Sequence, residues 1–214
     1  MDQISPVDWP ETEAVPMPEA DRRAALRETL EASPYEDEFW VFGFGSLMWN
    51  PGVDVRARHG ATLAGYRRKF NIWSTVGRGT PERPGLGLCL EPGAGACRGI
   101  AYRYRMENLA ADLDYLWQRE MGSGVYNPTW VTLALDDGAE HQERTALTFV
   151  INPGHSGYAG AMPAEDMARH MSGACGRHGR CRDYLANTIE EMAKLGERDT
   201  LLDEVLRLID SASD

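Results

Sequence analysis

Trp40-Val41-Phe42-Gly43-Phe44-Gly45-Ser46-Leu47-Met48-Trp49-Asn50-Pro51 joins an apolar strand pattern directly to residues with almost no side chain. A strand runs in and a tight loop comes out. Gly43 and Gly45 permit positive φ and let a ligand approach the main chain closely, so that successive N–H groups at Gly45, Ser46 and Leu47 can converge on an anion. A dinucleotide fingerprint fails here, because the third glycine is missing and Pro51 stands where a crossover helix should begin. A nucleophile elbow fails as well, since Ser46 has no glycine on its far side.

Around this stretch the chain has the bulk for one main core: 214 residues, of which 43% are apolar. With 22 basic and 33 acidic residues the formal charge is −11, which disfavours nucleic acid and anionic membrane as partners. No apolar run approaches the roughly 20 residues needed to span a bilayer. The first residues, with Asp2, Glu11 and Glu13, lack a basic-then-apolar leader, so a cytoplasmic protein is expected. Cys89, Cys97, Cys175 and Cys181 are too scattered for a disulfide framework and read as thiols.

Residues 1–18, with Pro6, Pro10, Glu11, Pro16 and Pro18, read as a flexible tail, and 19–214 as a single domain. A short amphipathic helix is expected over 19–32, with Ala25, Leu26 and Leu30 on its stripe. Strands are expected at 39–44, 62–73, 87–90 and 100–104. A hairpin follows from 129–135 and 145–151 about Asp136-Asp137-Gly138. Helices are expected over 107–120, 164–172, 183–195 and 200–209. The loop from Gly77 to Gly85 carries Arg78 and Arg83 and is a candidate binding surface beside the first loop; either arginine suits a substrate carboxylate.

Glu120 falls at the C-terminal end of its helix, where the dipole opposes negative charge and raises a carboxyl pKa. That placement suits proton transfer better than stability. Tyr158, set among glycines and alanines, is either a packing plug or a ligand contact. Cys175, His178 and Cys181, with His170 upstream, have a spacing zinc could use but lack paired C-x-x-C elements, so no metal is assigned. A hydrolase using Ser46 lacks any histidine tied to that serine by a pattern.

Taken in order, residues 41–51, Gly77-Arg78-Gly79-Thr80-Pro81, Trp117-Gln118-Arg119-Glu120-Met121, Tyr126-Asn127-Pro128-Thr129-Trp130 and Arg182-Asp183-Tyr184-Leu185 resemble the ChaC family of γ-glutamylcyclotransferases, especially its bacterial, glutathione-specific members. The resemblance covers roughly 39–208. It implies an α+β fold, a small, mostly antiparallel β-barrel with flanking helices. It also implies cleavage of glutathione to 5-oxoproline and cysteinylglycine by a cyclising C–N lyase that needs no cofactor. In that family the glycine loop, here Phe44, Gly45, Ser46 and Leu47, binds the γ-glutamyl group through main-chain amides. The Arg-Glu pair supplies the catalytic carboxylate, here Glu120. Tyr126 and Tyr158 match family tyrosines near the substrate.

Such a reaction asks for just these parts. The substrate's α-amine is its own nucleophile, so no enzyme serine or cysteine is needed; a proton shuttle and an anion cradle are. Two departures stand out: Phe44 replaces the usual tyrosine, and the spacing from Glu120 to Tyr126 is longer than in the Arg-Glu-Lys-Gly-Gly-Tyr form. The alternatives are a cyclotransferase for other γ-glutamyl compounds and a non-catalytic binding module.

Overall fold

The computed structural model describes residues 16–34, 37–136 and 142–212; residues 1–15 of the tail expected over 1–18, and Asp137 and Gly138 of the expected turn, lie outside them. Helix α1 (Glu19–Glu31) precedes β1 (Trp40–Gly43), a strand buried along its whole length. The alternation of side chains along β1 sorts them between two cores. Trp40, Phe42 and Phe44 enter the larger one; Phe39 and Val41 enter the other. The loop that follows therefore leaves the barrel at the seam between them.

Strands β2 (Val55–Ser74) and β3 (Gly85–Tyr104) pair antiparallel, helix α2 spans Leu109–Glu120, and β4 (Tyr126–Leu135) pairs with β5 (Gln142–Ile151). The strands close into a barrel in the order β1-β3-β2-β4-β5. Closure is a parallel bridge, Val41 to Leu147; the other pairings are antiparallel. Helix α3 (Ala164–Met171), the two-residue strands β6 (Cys175–Gly176) and β7 (Gly179–Arg180), and helices α4 (Cys181–Lys194) and α5 (Thr200–Ser211) complete the described chain. Met167, Met171, Leu185, Met192, Leu202, Val205 and Ile209 pack from α3, α4 and α5 onto the barrel's larger core. Leu113, Leu116 and Trp117 seat α2 on the second core.

Four short strands in the middle of the chain become two long ones plus β1, because glycine and proline there mark bulges rather than ends. The register shifts between Ala64 and Tyr66, where Gly65 has φ +79°, and the ladder continues beyond it. On the partner strand Pro92 pairs with Tyr66 and Ala96 with Ala64, so the residues between them bulge out without breaking the pairing. In α1 the apolar stripe is narrower than expected: Ala25 and Leu26 pack on the second core, and Leu30 is exposed.

Candidate active site

Residues Ser46–Met48 form a single 3-10 turn after β1. The carbonyls of this loop are all engaged. Phe44 O accepts from Arg68 Nε at 2.5 Å, Gly45 O from Met48 N at 2.8 Å and Ser46 O from Asn50 N at 3.0 Å. The buried Tyr102 hydroxyl reaches both Leu47 O (2.8 Å) and Met48 O (2.9 Å). The amides of Gly45, Ser46 and Leu47, by contrast, have no acceptor among the described residues. Main-chain donors left open while their carbonyls are tied down are the groups an anion site would require. Neither Gly43 nor Gly45 uses the positive φ open to glycine. Glycine is required for closeness instead: a Cβ on Gly43 would lie 2.7 Å from Leu47 Cβ, and one on Gly45 would lie 3.1 Å from the Tyr184 hydroxyl and 3.3 Å from Leu88 Cδ1.

Of the four loop residues expected at the site, Phe44 and Leu47 turn their side chains into the two cores and offer only main chain. Ser46 is partly exposed, and its hydroxyl accepts from Arg119 Nη2 at 2.7 Å. Arg119 also donates from Nη1 to Asn50 O at 2.6 Å, and its Nε lies 3.1 Å from Glu120 Oε1. One guanidinium thus fastens the end of α2 to both ends of the glycine loop. Glu120, its side chain 16% exposed, has its carboxyl pKa raised, first by burial, with Arg119 pulling it partly back. Burial rather than the helix dipole alone is the cause.

Tyr126 begins β4 and donates its hydroxyl to Leu88 O at 2.6 Å. Its phenol pKa is raised well above normal by burial and then by the charge of Glu120, which puts the two groups in one electrostatic environment despite the longer spacing between them. Tyr158 donates to Glu91 Oε1 at 2.8 Å, the same oxygen that accepts from Asn71 Nδ2 at 2.7 Å. It shares with Tyr126 a small cluster of Ile72, Cys89, Val125 and Ile151. Tyr158 is therefore anchored through Glu91.

Tyr184, for which no role was assigned from sequence, packs its hydroxyl close against Gly45. It is buried, its phenol pKa is raised by burial and then by Glu120, and Arg78 stacks its guanidinium 4.5 Å from the ring centroid. Arg78 also donates to His178 O, while Arg83 turns away and donates to Ser172 O at 2.8 Å. The β6–β7 turn is held to this loop by Arg177 N on Val76 O (2.8 Å) and His178 N on Gly77 O (2.9 Å). Burial and the neighbouring Arg78, Arg177 and Arg119 lower the His178 pKa, so the region is rich in positive charge. Cys181 is buried with its thiol between Leu86 N and O, Cys175 is exposed, and no set of three metal-ligating side chains gathers among the described residues.

The family described as ChaC-like protein matches residues 39–212. A glutathione-specific γ-glutamylcyclotransferase of Escherichia coli (strain K12) is 40% identical over 185 residues, which is 86% of this chain and 78% of that one. The human glutathione-specific γ-glutamylcyclotransferase 1 is 33% identical over 158 residues, 73% of this chain and 71% of that one. In fold the chain is similar to a crystal structure of a yeast γ-glutamyl cyclotransferase specific to glutathione, with a TM-score of 0.74 at 19% identity, covering 82% of this chain and 97% of that one. Matched over most of its length by both family and relatives, the chain belongs to the ChaC family.

Proposed function

We propose that this protein is a glutathione-specific γ-glutamylcyclotransferase that converts glutathione to 5-oxoproline and cysteinylglycine, with Glu120 as its general base and acid. The α-amine nitrogen of the γ-glutamyl residue attacks its own γ-carbonyl carbon and closes a five-membered ring. The bond from that carbon to the cysteinyl nitrogen then breaks. Glu120 takes a proton from the α-ammonium and hands it to the departing nitrogen, a double role suited to a carboxyl whose pKa lies above the usual range. The open amides of Gly45, Ser46 and Leu47 hold the substrate's α-carboxylate or the oxyanion that develops on the γ-carbonyl.

The observation that carries this reading is the Arg119 bridge, which joins the carboxyl of Glu120 to Ser46 in a loop whose three amides are unspent. The activity named for the E. coli and human relatives supports the substrate. Four free thiols support a reducing compartment, the cytoplasm, as the setting. Among the described residues, no helix is long and apolar enough to cross a membrane.

The test is 5-oxoproline release from glutathione, γ-glutamylalanine and γ-glutamylated amines, assayed side by side. Glutathione is expected to give the highest kcat/KM. Preference for the other two would move the substrate assignment, and no release from any of them would leave a binding module.

A further inference from the structure

Arg68 is a charged side chain sealed beneath the glycine loop, its side chain 4% exposed. Nε donates to Phe44 O at 2.5 Å, Nη2 donates to Arg98 O at 2.5 Å and faces Met48 Sδ at 3.6 Å, and Nη1 pairs with Glu197 Oε2 at 2.9 Å. Glu197 Oε1 in turn accepts from Arg98 N at 3.0 Å. Burying an ion pair is often no better for stability than filling the same space with apolar groups, so fastening the loop is a weak reason for a cation here. Its place on Phe44 O suggests another.

The peptide unit between Phe44 and Gly45 is planar, with its C=O and N–H on opposite sides. A cation bonded to that oxygen withdraws electron density from the Gly45 nitrogen and makes its N–H a stronger donor. That N–H is one of the three loop amides without an acceptor among the described residues. We propose that Arg68 is a positioning residue for the reaction, polarising the Phe44–Gly45 peptide from behind so that the Gly45 amide binds the substrate's developing or resident anion. The inference rests on the proposed role of the loop amides. It adds a charge that never touches the substrate.

The test pairs two variants. Arg68→Met combined with Glu197→Gln removes the cation without leaving an unpaired carboxylate. Arg68→Lys keeps the charge while losing the planar fork, and it carries the same measurements should the double variant not fold. The amide 15N resonance of Gly45 and the carbonyl 13C resonance of Phe44, read without substrate, are expected to move upfield in the double variant and less in the lysine variant. A role confined to packing would not single out those two nuclei. For folded protein, kcat for glutathione is expected to fall about 10-fold or more, or glutathione binding in a Glu120→Gln background to weaken as much, since losing a whole oxyanion donor costs about 100- to 1000-fold. Unchanged resonances, or kcat and affinity both within about twofold of the parent, would overturn the assignment. If the parent protein releases no 5-oxoproline, the proposed function itself fails, and the two resonances still decide whether Arg68 polarises the peptide.

Discussion

Arg119 donates from Nη2 to Ser46 Oγ at 2.7 Å, tying the last turn of α2 to the glycine loop. The side chains stand 73 residues apart in sequence, and the bond is made while the same guanidinium faces Glu120. The placement of the Glu120 carboxyl relative to the loop amides therefore depends on one cation as well as on backbone.

Arg119→Met should act on both. Its charge lowers the Glu120 pKa against the larger effect of burial, so without it the carboxyl must bind its proton more tightly. The acid limb of the kcat/KM profile with glutathione is expected to move to higher pH. Turnover at the plateau should also drop, by about 100-fold if the loop shifts by an ångström or so. An unmoved acid limb would separate Arg119 from the titration of Glu120.

Glu120→Gln should keep the fold and lower turnover by about 100-fold or more, the range for loss of a general acid–base group. Stability provides a second, independent reading. Glu120 has its pKa raised in the folded state, so the native protein holds this proton more tightly than the unfolded chain. The stability this gives is present below the unfolded carboxyl pKa and is lost as pH rises through the folded one. Glutamine removes that loss. The melting temperature of the variant relative to the parent should therefore rise between pH 4 and pH 7, and a difference that stays flat would contradict the burial of Glu120.

Gly45→Ala tests the cradle through space rather than charge. The added Cβ would meet Tyr184 and Leu88 at 3.1 and 3.3 Å, tighter than nine in ten real contacts of that kind, so the loop or these two neighbours must shift by a few tenths of an ångström. A displaced amide set is expected to lower kcat by about 10-fold or more, with only a modest change in melting temperature. Parent-like turnover would mean that this peptide does not face the substrate.

How much of this was legible in the sequence varies residue by residue. The placement of the glycine loop after a strand and of Glu120 at the end of a helix could be read, because a strand ending in small residues and a carboxylate at the wrong end of a helix are local patterns. The reason for the glycines could not, since it lies in contacts from Leu47, Leu88 and Tyr184 rather than in backbone angles. Tyr184 sat in a recognisable stretch of α4, yet only the packing of α4 on the barrel brings it to Gly45. Arg68 was hidden by register. Ala61 and Leu63 point into the larger core, and strict alternation would continue inward at 65 and 67, leaving 68 on the solvent face. The bulge at Gly65 flips the phase, so Tyr66 and Phe70 join that core, and Arg68, of the same parity, is buried with them.

Arg78 and Arg83 were equivalent candidates for the far carboxylate of the substrate, and their surroundings now separate them. Arg78 stacks on Tyr184, whose hydroxyl approaches the loop at Gly45 and whose phenol also feels the charge of Glu120, and so stands on the same side of the loop. Arg83 is committed to Ser172 O at the end of α3 and lies against Gly173. Hydrogen bonds to a charged group contribute about 1.5–3 kcal/mol, so Arg78→Ala should raise KM for glutathione by about 10- to 100-fold. A γ-glutamylated amine has no distal carboxylate to lose, and its KM should hardly change in the same variant. Arg83→Ala should leave both constants near the parent values. Steady-state assays of the two variants on the two substrates decide the matter: an equal rise in KM for both substrates in Arg78→Ala would show that the arginine supports Tyr184 and does not read the carboxylate.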